Sequence, residues 1–432
     1  MLHAAVRTYG SLLEAFWSMT SCLMRLLPLA VVFGMLLSAD AERASAQVRM
    51  TFDKHPVIEV GNLLTAHIRF KSQVDFREFP EELELSPAKP LVDLHRTRIG
   101  LEGRLTRALE YQIEGELSDA GAPWRDAYVQ TRAFRQLQVR AGQFKIPFSL
   151  DQLTSGMDLD FNYRSLAGSF LAPGRDVGVM AFGRLINDVF RYQAAVFKHG
   201  GDNVRESERT DPQADRTYAG RLVVRPWIRS QSVLRTLSAG AAFTSGRLPA
   251  GPNGVRGKTV PGDAFFEHLF VNGNRQRIGG EFQWRPLGPV GLQAEFIEVR
   301  DQRFGQGIDN EDLPNAYSRG WYASGVWLLT GERKKDARPF LRGGTGAVEI
   351  GARVERLASW SHGVNDGSFS SPRAPWVMPR VDDVWTGGVN WYWNEYVKLQ
   401  ANVIRERRRE DGHVIIGKGS LWSETFRVQL GF

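Results

Sequence analysis

Residues 347–355 read Ala-Val-Glu-Ile-Gly-Ala-Arg-Val-Glu, so Val348, Ile350, Ala352 and Val354 alternate with Glu349, Gly351, Arg353 and Glu355. A period of two places the apolar side chains on one face of an extended strand and the polar ones on the other. The pattern recurs at 277–284, where Ile278, Phe282 and Trp284 oppose Arg277, Glu281 and Gln283. It recurs at 397–403, with Lys398, Gln400 and Asn402 on the polar face, and at 426–432, where Phe426, Val428, Leu430 and Phe432 oppose Arg427, Gln429 and Gly431. From about residue 57 onward no 3.6-residue apolar stripe interrupts such segments. Within 292–299 the apolar parity switches after Phe296, which reads as a β-bulge.

Extending this reading gives sixteen strands, at 57–70, 96–105, 109–117, 126–132, 137–144, 177–185, 191–198, 217–225, 234–244, 276–284, 291–300, 319–330, 344–357, 383–393, 397–405 and 424–432. The links alternate in length. Short ones fall near 106–108, 133–136, 186–189, 226–233, 285–290, 331–339 and 394–396; long ones near 71–95, 118–125, 145–176, 199–216, 245–275, 301–318, 358–382 and 406–423. An even strand count with short turns on one side and long loops on the other is the layout of an outer-membrane barrel, with both chain ends on the periplasmic side. A soluble sandwich shows the same side-chain alternation, but it does not require alternating loop lengths. The expected fold is therefore all-β, a 16-stranded antiparallel transmembrane β-barrel with long extracellular loops and short periplasmic turns. Clusters at Trp321, Tyr322 and Trp327, and at Trp385, Trp391, Tyr392 and Trp393, read as interfacial girdles.

Composition agrees with export. The chain has 432 residues, net charge +7, and no apolar run of the ~20 residues that a helical span needs. Its most apolar stretch, LLPLAVVFGMLL at 26–37, follows Arg25 and precedes Ala44-Ser45-Ala46, the three parts of a secretory signal. Residues 1–46 are thus expected to be a signal peptide cleaved near Ala46, with translation starting at Met1, Met19 or Met24, and 47–432 the barrel. The single cysteine, Cys22, lies in that signal, which excludes disulfide frameworks and thiol chemistry from the mature chain.

Residues 96–182 add a more specific signal. RTRIGLEGRL, EYQIEGEL and RDAYVQTRAF are followed by Gly142-Gln143-Phe144-Lys145-Ile146-Pro147-Phe148, then Thr154-Ser155, Arg164-Ser165-Leu166 and Pro173-Gly174-Arg175-Asp176-Val177-Gly178-Val179. This block resembles the phosphate-selective porin O and P family of Gram-negative outer membranes. The resemblance implies a sixteen-stranded barrel, a homotrimer, and a third extracellular loop, here about 145–176, folded into the pore. It also implies a binding-site lysine, for which Lys145 is the matching position. Where many relatives carry Tyr-Lys in the third strand, this chain has Tyr111-Gln112. The terminal Leu430-Gly431-Phe432 is similar to the signature read by the barrel assembly machinery, with Phe432 as the contact.

Sixteen strands enclose a lumen too wide for side chains to fill. Strand parity points Arg98, Arg104, Arg132, Arg140, Arg221, Arg225, Arg277, Arg353, Lys398 and Arg427 inward, together with Glu102, Glu110, Glu114, Glu116, Glu281, Glu349 and Glu355. Arginine suits oxyanions because its fork donates two hydrogen bonds. The expected pore-lining or anion-binding residues are Lys145, Arg164 and Arg175 on the loop and Arg98, Arg132, Arg140, Arg277 and Arg353 on the wall. The expected function is passive diffusion of small inorganic anions, phosphate or polyphosphate first, in the outer membrane. The interspersed glutamates keep open a weakly selective porin for other solutes; a barrel-embedded hydrolase or surface adhesin is the alternative of another class.

No catalytic motif appears: G-x-S-x-G, H-E-x-x-H and Walker patterns are missing from the sequence. Gly343-Gly344-Thr345-Gly346 precedes a strand and reads as a turn, Asp309, Glu311 and Asp312 read as solvated loop charge, and the eight histidines lack ligand spacing. No enzyme activity, cofactor or metal is expected. The basic run Arg405-Glu406-Arg407-Arg408-Arg409 is expected in the last extracellular loop, facing outer-membrane lipid and lipopolysaccharide rather than nucleic acid.

Overall fold

The computed structural model describes residues 48–61, 64–78, 92–118, 124–199, 216–260, 264–266, 269–335, 338–339, 346–364, 371–410, 413–414 and 420–432. The expected signal segment 1–46 lies outside them. One antiparallel sheet of nineteen strands contains an N-terminal hairpin (Val48–Asp53 and His55–Val60), a two-residue extension (His413–Val414), and sixteen strands that form a closed barrel. In chain order these are β1 (Leu64–Glu78), β2 (Val92–Arg104), β3 (Leu109–Glu116), β4 (Trp124–Thr131), β5 (Gln138–Lys145), β6 (Arg175–Leu185), β7 (Phe190–Phe197) and β8 (Thr217–Val224). They continue as β9 (Ser238–Gly251), β10 (Val271–Trp284), β11 (Val290–Arg303), β12 (Leu313–Leu328), β13 (Ala347–Ser361), β14 (Arg380–Tyr392), β15 (Val397–Glu410) and β16 (Leu421–Gly431). Each pairs with its sequence neighbour, and β16 returns to β1 in the register Gly431↔Lys71 to Glu424↔Glu78. Phe432 and Phe70 exchange backbone hydrogen bonds of 3.2 and 3.0 Å at the seam. Among the described residues, the sixteen barrel strands therefore leave no free edge between them for hydrocarbon to meet.

The alternation is realised as lipid against lumen. Ile99, Val179, Leu222, Ile278, Ile350, Val403 and Leu430 are exposed outside, while Arg98, Arg277, Glu349, Arg353, Lys398, Asn402, Arg427 and Gln429 are buried inside. Trp385 and Trp391 both face outward from β14. Six residues of strand separate them by ~20 Å, close to the ~25 Å apolar band of such barrels. Tyr322 and Tyr392, expected in the girdles, have the opposite parity and are buried in the lumen, where Tyr392 donates to Glu349 at 3.1 Å.

Several details differ from the sequence reading, among them strand starts at Ser238 and Leu313 in place of the expected 234 and 319. The strand expected at 57–70 divides at Gly61 (φ +53°) into the second hairpin strand and the start of β1, which runs on to Glu78. Asn62 and Leu63 interrupt the alternation only briefly, and Leu64, Ala66, Ile68 and Phe70 resume the phase of Ile58 and Val60, so the pattern does not mark the fold-back. The link after β12 spans 329–346 because a small hairpin (Lys334–Lys335 with Arg338–Pro339) is built into it. No bulge occurs at Phe296: β11 pairs with β12 without a slip from Val290 to Asp301. Ile297 and Val299 simply face the lumen and are covered there by the inward loop described below. The basic run at 405–409 extends β15 instead of forming a loop.

Gly142, which opens the Gly-Gln-Phe-Lys motif, has φ +130°, and a Cβ there would stand 2.3 Å from the Ala127 carbonyl. A side chain at this position is strained by both backbone and neighbour.

The β1/β16 seam carries a buried pair in which Arg427 donates to Asp75 at 2.6 and 2.8 Å. Arg427→Ala strands the Asp75 carboxylate and is expected to destabilise the barrel by about 3 kcal/mol, read as a lower urea midpoint in detergent micelles; an unchanged midpoint contradicts the closure described here.

Candidate functional site

Between β5 and β6 the chain does not stay outside. Residues 146–174 fold into the lumen, starting with Ser149, whose side chain caps a one-turn helix α1 (Leu150–Leu153) by accepting from Gln152 N. Ile146, Phe148, Leu166, Ala167 and Leu171 are fully or almost fully buried against Phe197, Ile297, Val299, Leu357, Val384 and Ile404 of the wall. Each large side chain so buried contributes about 2 kcal/mol of apolar transfer. The wall makes room for the approach: a Cβ on Gly320 would meet the Ala167 Cβ at 2.9 Å.

The rest of the loop is irregular, and its backbone polar groups are satisfied by lumen side chains. Glu295 accepts from Leu150 N and Asp151 N at 2.9 and 3.1 Å, and Glu355 from Leu166 N at 2.6 Å. Gln73 donates to Gly156 O, Gln429 to Met157 O, Lys398 to Leu159 O and Asn390 to Asp160 O, at 3.0, 2.8, 2.6 and 2.8 Å. Asn162 N donates to Asn402 at 2.7 Å and Asn162 Nδ2 to Thr425 at 2.9 Å. Lys334, from the built-out periplasmic link, pairs with both Asp160 and Glu349. Strands β1, β11 and β13 to β16 therefore all hold the loop. Burial pushes the Tyr163 hydroxyl up to about 12, so this loop residue stays neutral.

The expected site residues are all engaged. Lys145 donates to the carbonyls of Gln152, Leu153 and Thr154 at 2.5, 3.3 and 3.1 Å, and Arg164 to those of Asp151 and Thr154. The structure brings these two cations together, but on the C-terminal carbonyls of α1. Burial lowers the Arg164 guanidinium from its ordinary value. Arg175 pairs with Asp126 at 2.9 Å, Arg98 with Glu116 and Glu114 at 2.7 and 3.0 Å, and Arg132 with Glu110 at 2.9 Å. Arg140 donates to Gln130 at 2.6 Å and lies 4.0 Å over the Tyr128 ring. Arg277 holds the Leu171 carbonyl at 2.9 Å, and Arg353 holds Glu355 and the Tyr163 carbonyl at 3.0 and 2.9 Å.

On the periplasmic side of α1 the lumen opens into a cavity of about 960 Å³. Arg191, Arg221, Arg225, Arg235, Arg285, Arg333 and Lys334 line it against one carboxylate, Glu281, which accepts from Arg221 at 2.9 and 2.6 Å. Among the described residues, the side chains of Arg225, Arg235 and Arg333 form no ion pair. Strand parity already points Arg221 and Arg225 inward; it has no means to find Arg235, Arg285 and Arg333, which sit in periplasmic links. Among the described residues no group of three His, Cys, Asp or Glu is placed to hold a metal ion.

The sequence pattern described as phosphate-selective porin O and P matches residues 67–414, most of the chain and nearly the whole barrel. The chain belongs to that family. It is thus a channel-forming barrel of the Gram-negative outer membrane. Among solved structures, this porin is similar to in-vitro folded OmpT, an outer membrane protein of Vibrio cholerae, at 10% identity and TM-score 0.54, covering 85% of this chain and 97% of that one. The trimer form of the same protein gives 10% identity, TM-score 0.53, and coverage of 85% and 99%. The outer membrane channel DcaP of Acinetobacter baumannii matches at 10% identity and TM-score 0.53, covering 85% and 97%. At such identities the likeness concerns the barrel fold. No curated protein matches the chain.

Since Lys145 and Arg164 serve the loop's own backbone, Lys145→Gln and Arg164→Gln are expected to raise conductance and current noise in planar bilayers by loosening the loop. The reversal potential in a salt gradient should stay at the wild-type value; a shift towards cations with steady conductance contradicts the structural role.

Proposed function

We propose that this porin passes small anions in preference to cations, with inorganic phosphate or polyphosphate as the favoured solute. The observation that carries the reading is the periplasmic cavity, which six arginines and one glutamate line and where Arg225, Arg235 and Arg333 form no ion pair among the described residues. Like charges gathered in a concave, low-dielectric wall focus the field and concentrate counter-ions. Arginine forks offer oxyanions paired donors in place of lost water, and several separate weak contacts let an ion be handed on rather than trapped. Family membership supports the same solute class. A homotrimer is part of the proposal, supported by the family and by the trimer form of the Vibrio OmpT barrel.

One observation favours a weakly selective channel instead. At the level of the loop the wall cations are spent on carboxylates and carbonyls, as in Arg98 with Glu114 and Glu116 and in Arg353 with Glu355.

Measurement of the reversal potential across a KCl gradient separates the two. The proposal expects anion preference, block of chloride current by millimolar phosphate, and loss of both in Arg225→Gln/Arg235→Gln/Arg333→Gln with the barrel still folded. Cation preference, or a triple variant that keeps the wild-type potential, overturns it.

A further inference from the structure

At the extracellular ends of β14, β15 and β16, the outer face carries a row of arginines that the channel does not use. Arg405, Arg407 and Arg409 alternate outward, while Glu406 and Arg408 take the other face. Arg405 lies in register between Trp385 and Trp422, its guanidinium 5.6 and 5.7 Å from the two ring centroids. Arg356 and Arg409 both donate to Asp383 at 2.5 Å, and Arg407 is its cross-strand partner. Two guanidinium groups thus share one carboxylate, and a third, Arg407, lies across the ladder from it. Among the described residues, Arg405 and Arg407 form no ion pair.

Directly beneath this row, towards the membrane centre, the outer face is hollow. A groove of about 620 Å³ runs over Gly387, Val389, Ala401, Val403 and Phe426, and a Cβ at Gly387 would meet nothing within 4 Å. Glu424, opposite Val403 and one outward position below the Arg405–Trp422 pair, and Glu78, its partner on β1, border the groove on the β16 and β1 side. Their charge disfavours an anion down in the groove and leaves the arginine row as the place for one.

Arginine on the lipid face is costly at the bilayer midplane and nearly free of cost near the interface. The flanking tryptophans set Arg405 at the interface, where an uncompensated cationic row calls for an anionic headgroup. We propose that this face is a binding site for a phosphorylated glycolipid of the outer leaflet, of the lipopolysaccharide type. Its phosphoryl group takes the guanidinium forks of Arg405 and Arg407, and one acyl chain lies in the Gly387 groove. The charge order, cations above and hydrocarbon-lined hollow below, is that of an amphiphile with an anionic head and alkyl tail. A second subunit would have to present carboxylates and apolar side chains in the same order to fill it.

The test is native mass spectrometry of the purified full-length mature barrel titrated with bis-phosphorylated lipid A or with its dephosphorylated form. Wild type is expected to retain the phosphorylated lipid at least about tenfold more tightly, the scale of one charge-assisted hydrogen-bonded contact. Arg405→Gln/Arg407→Gln should bring the phosphorylated lipid down to the level of the dephosphorylated one, whereas Gly387→Leu should weaken both forms alike. Arg356→Gln, more remote from the groove, gives a milder version of the first effect and serves if the double variant loses its heat-modifiable gel migration. Equal retention of the two lipids by wild type overturns the proposal. So does an arginine variant that dissociates subunits while lipid retention is unchanged, which would make the face a protein interface.

Discussion

A stretch of irregular backbone inside a membrane barrel must find a partner for every N–H and C=O, because neither lipid nor a sheet ladder will supply one. In this porin the segment 146–174 meets that demand with side chains of the wall: carboxylates of Glu295 and Glu355 take its amides, while amides and amines of Gln73, Asn390, Lys398 and Gln429 take its carbonyls. The polar face of the alternating strands is thus committed before any solute arrives. Apolar residues follow the same demand. Ile297, Val299, Leu357, Val384 and Ile404 break the polar lumen at the places where the loop's own Phe148, Leu166 and Leu171 press against it.

This division of labour locates the chemistry of the channel. Cations that a sequence reading places at the constriction, Lys145 and Arg164 above all, are used to close the C-terminal carbonyls of α1. Charge left over for solutes collects below the loop, where Arg225, Arg235 and Arg333 project from periplasmic links into the cavity. Lys334 ties the two regions together, since it lines that cavity and also pairs with Asp160 of the loop.

Strand identity and the count of sixteen were legible because lipid on one side and water or loop on the other enforce a strict period of two. Residues 397–403 and 426–432 show it without exception. The fold-back at Gly61 is hidden because Leu64, Ala66, Ile68 and Phe70 resume the phase of Ile58 and Val60 after it, and Phe296 mimics a bulge only if the lumen is taken as uniformly polar. A loop that packs into the lumen makes some inward positions apolar, and nothing local to Ile297 or Val299 announces a segment some 130 residues earlier in the chain. Of the cavity arginines, parity points Arg221 and Arg225 inward but misses Arg235 and Arg333 for a related reason: it aims side chains on strands, and these two sit in links whose course only the folded barrel sets.

The central claim is that the 146–174 segment lies inside the cylinder against β15, β16 and β1. The mature chain expected from the sequence holds no cysteine, so a pair introduced as Asn162→Cys and Thr425→Cys, whose native side chains are 2.9 Å apart, has no competing thiol. Oxidation followed by peptide mass spectrometry should recover the loop peptide linked to the β16 peptide in nearly all of the folded barrel. Two thiols that stay free and react independently with a maleimide in the folded protein would put the loop elsewhere and contradict the account.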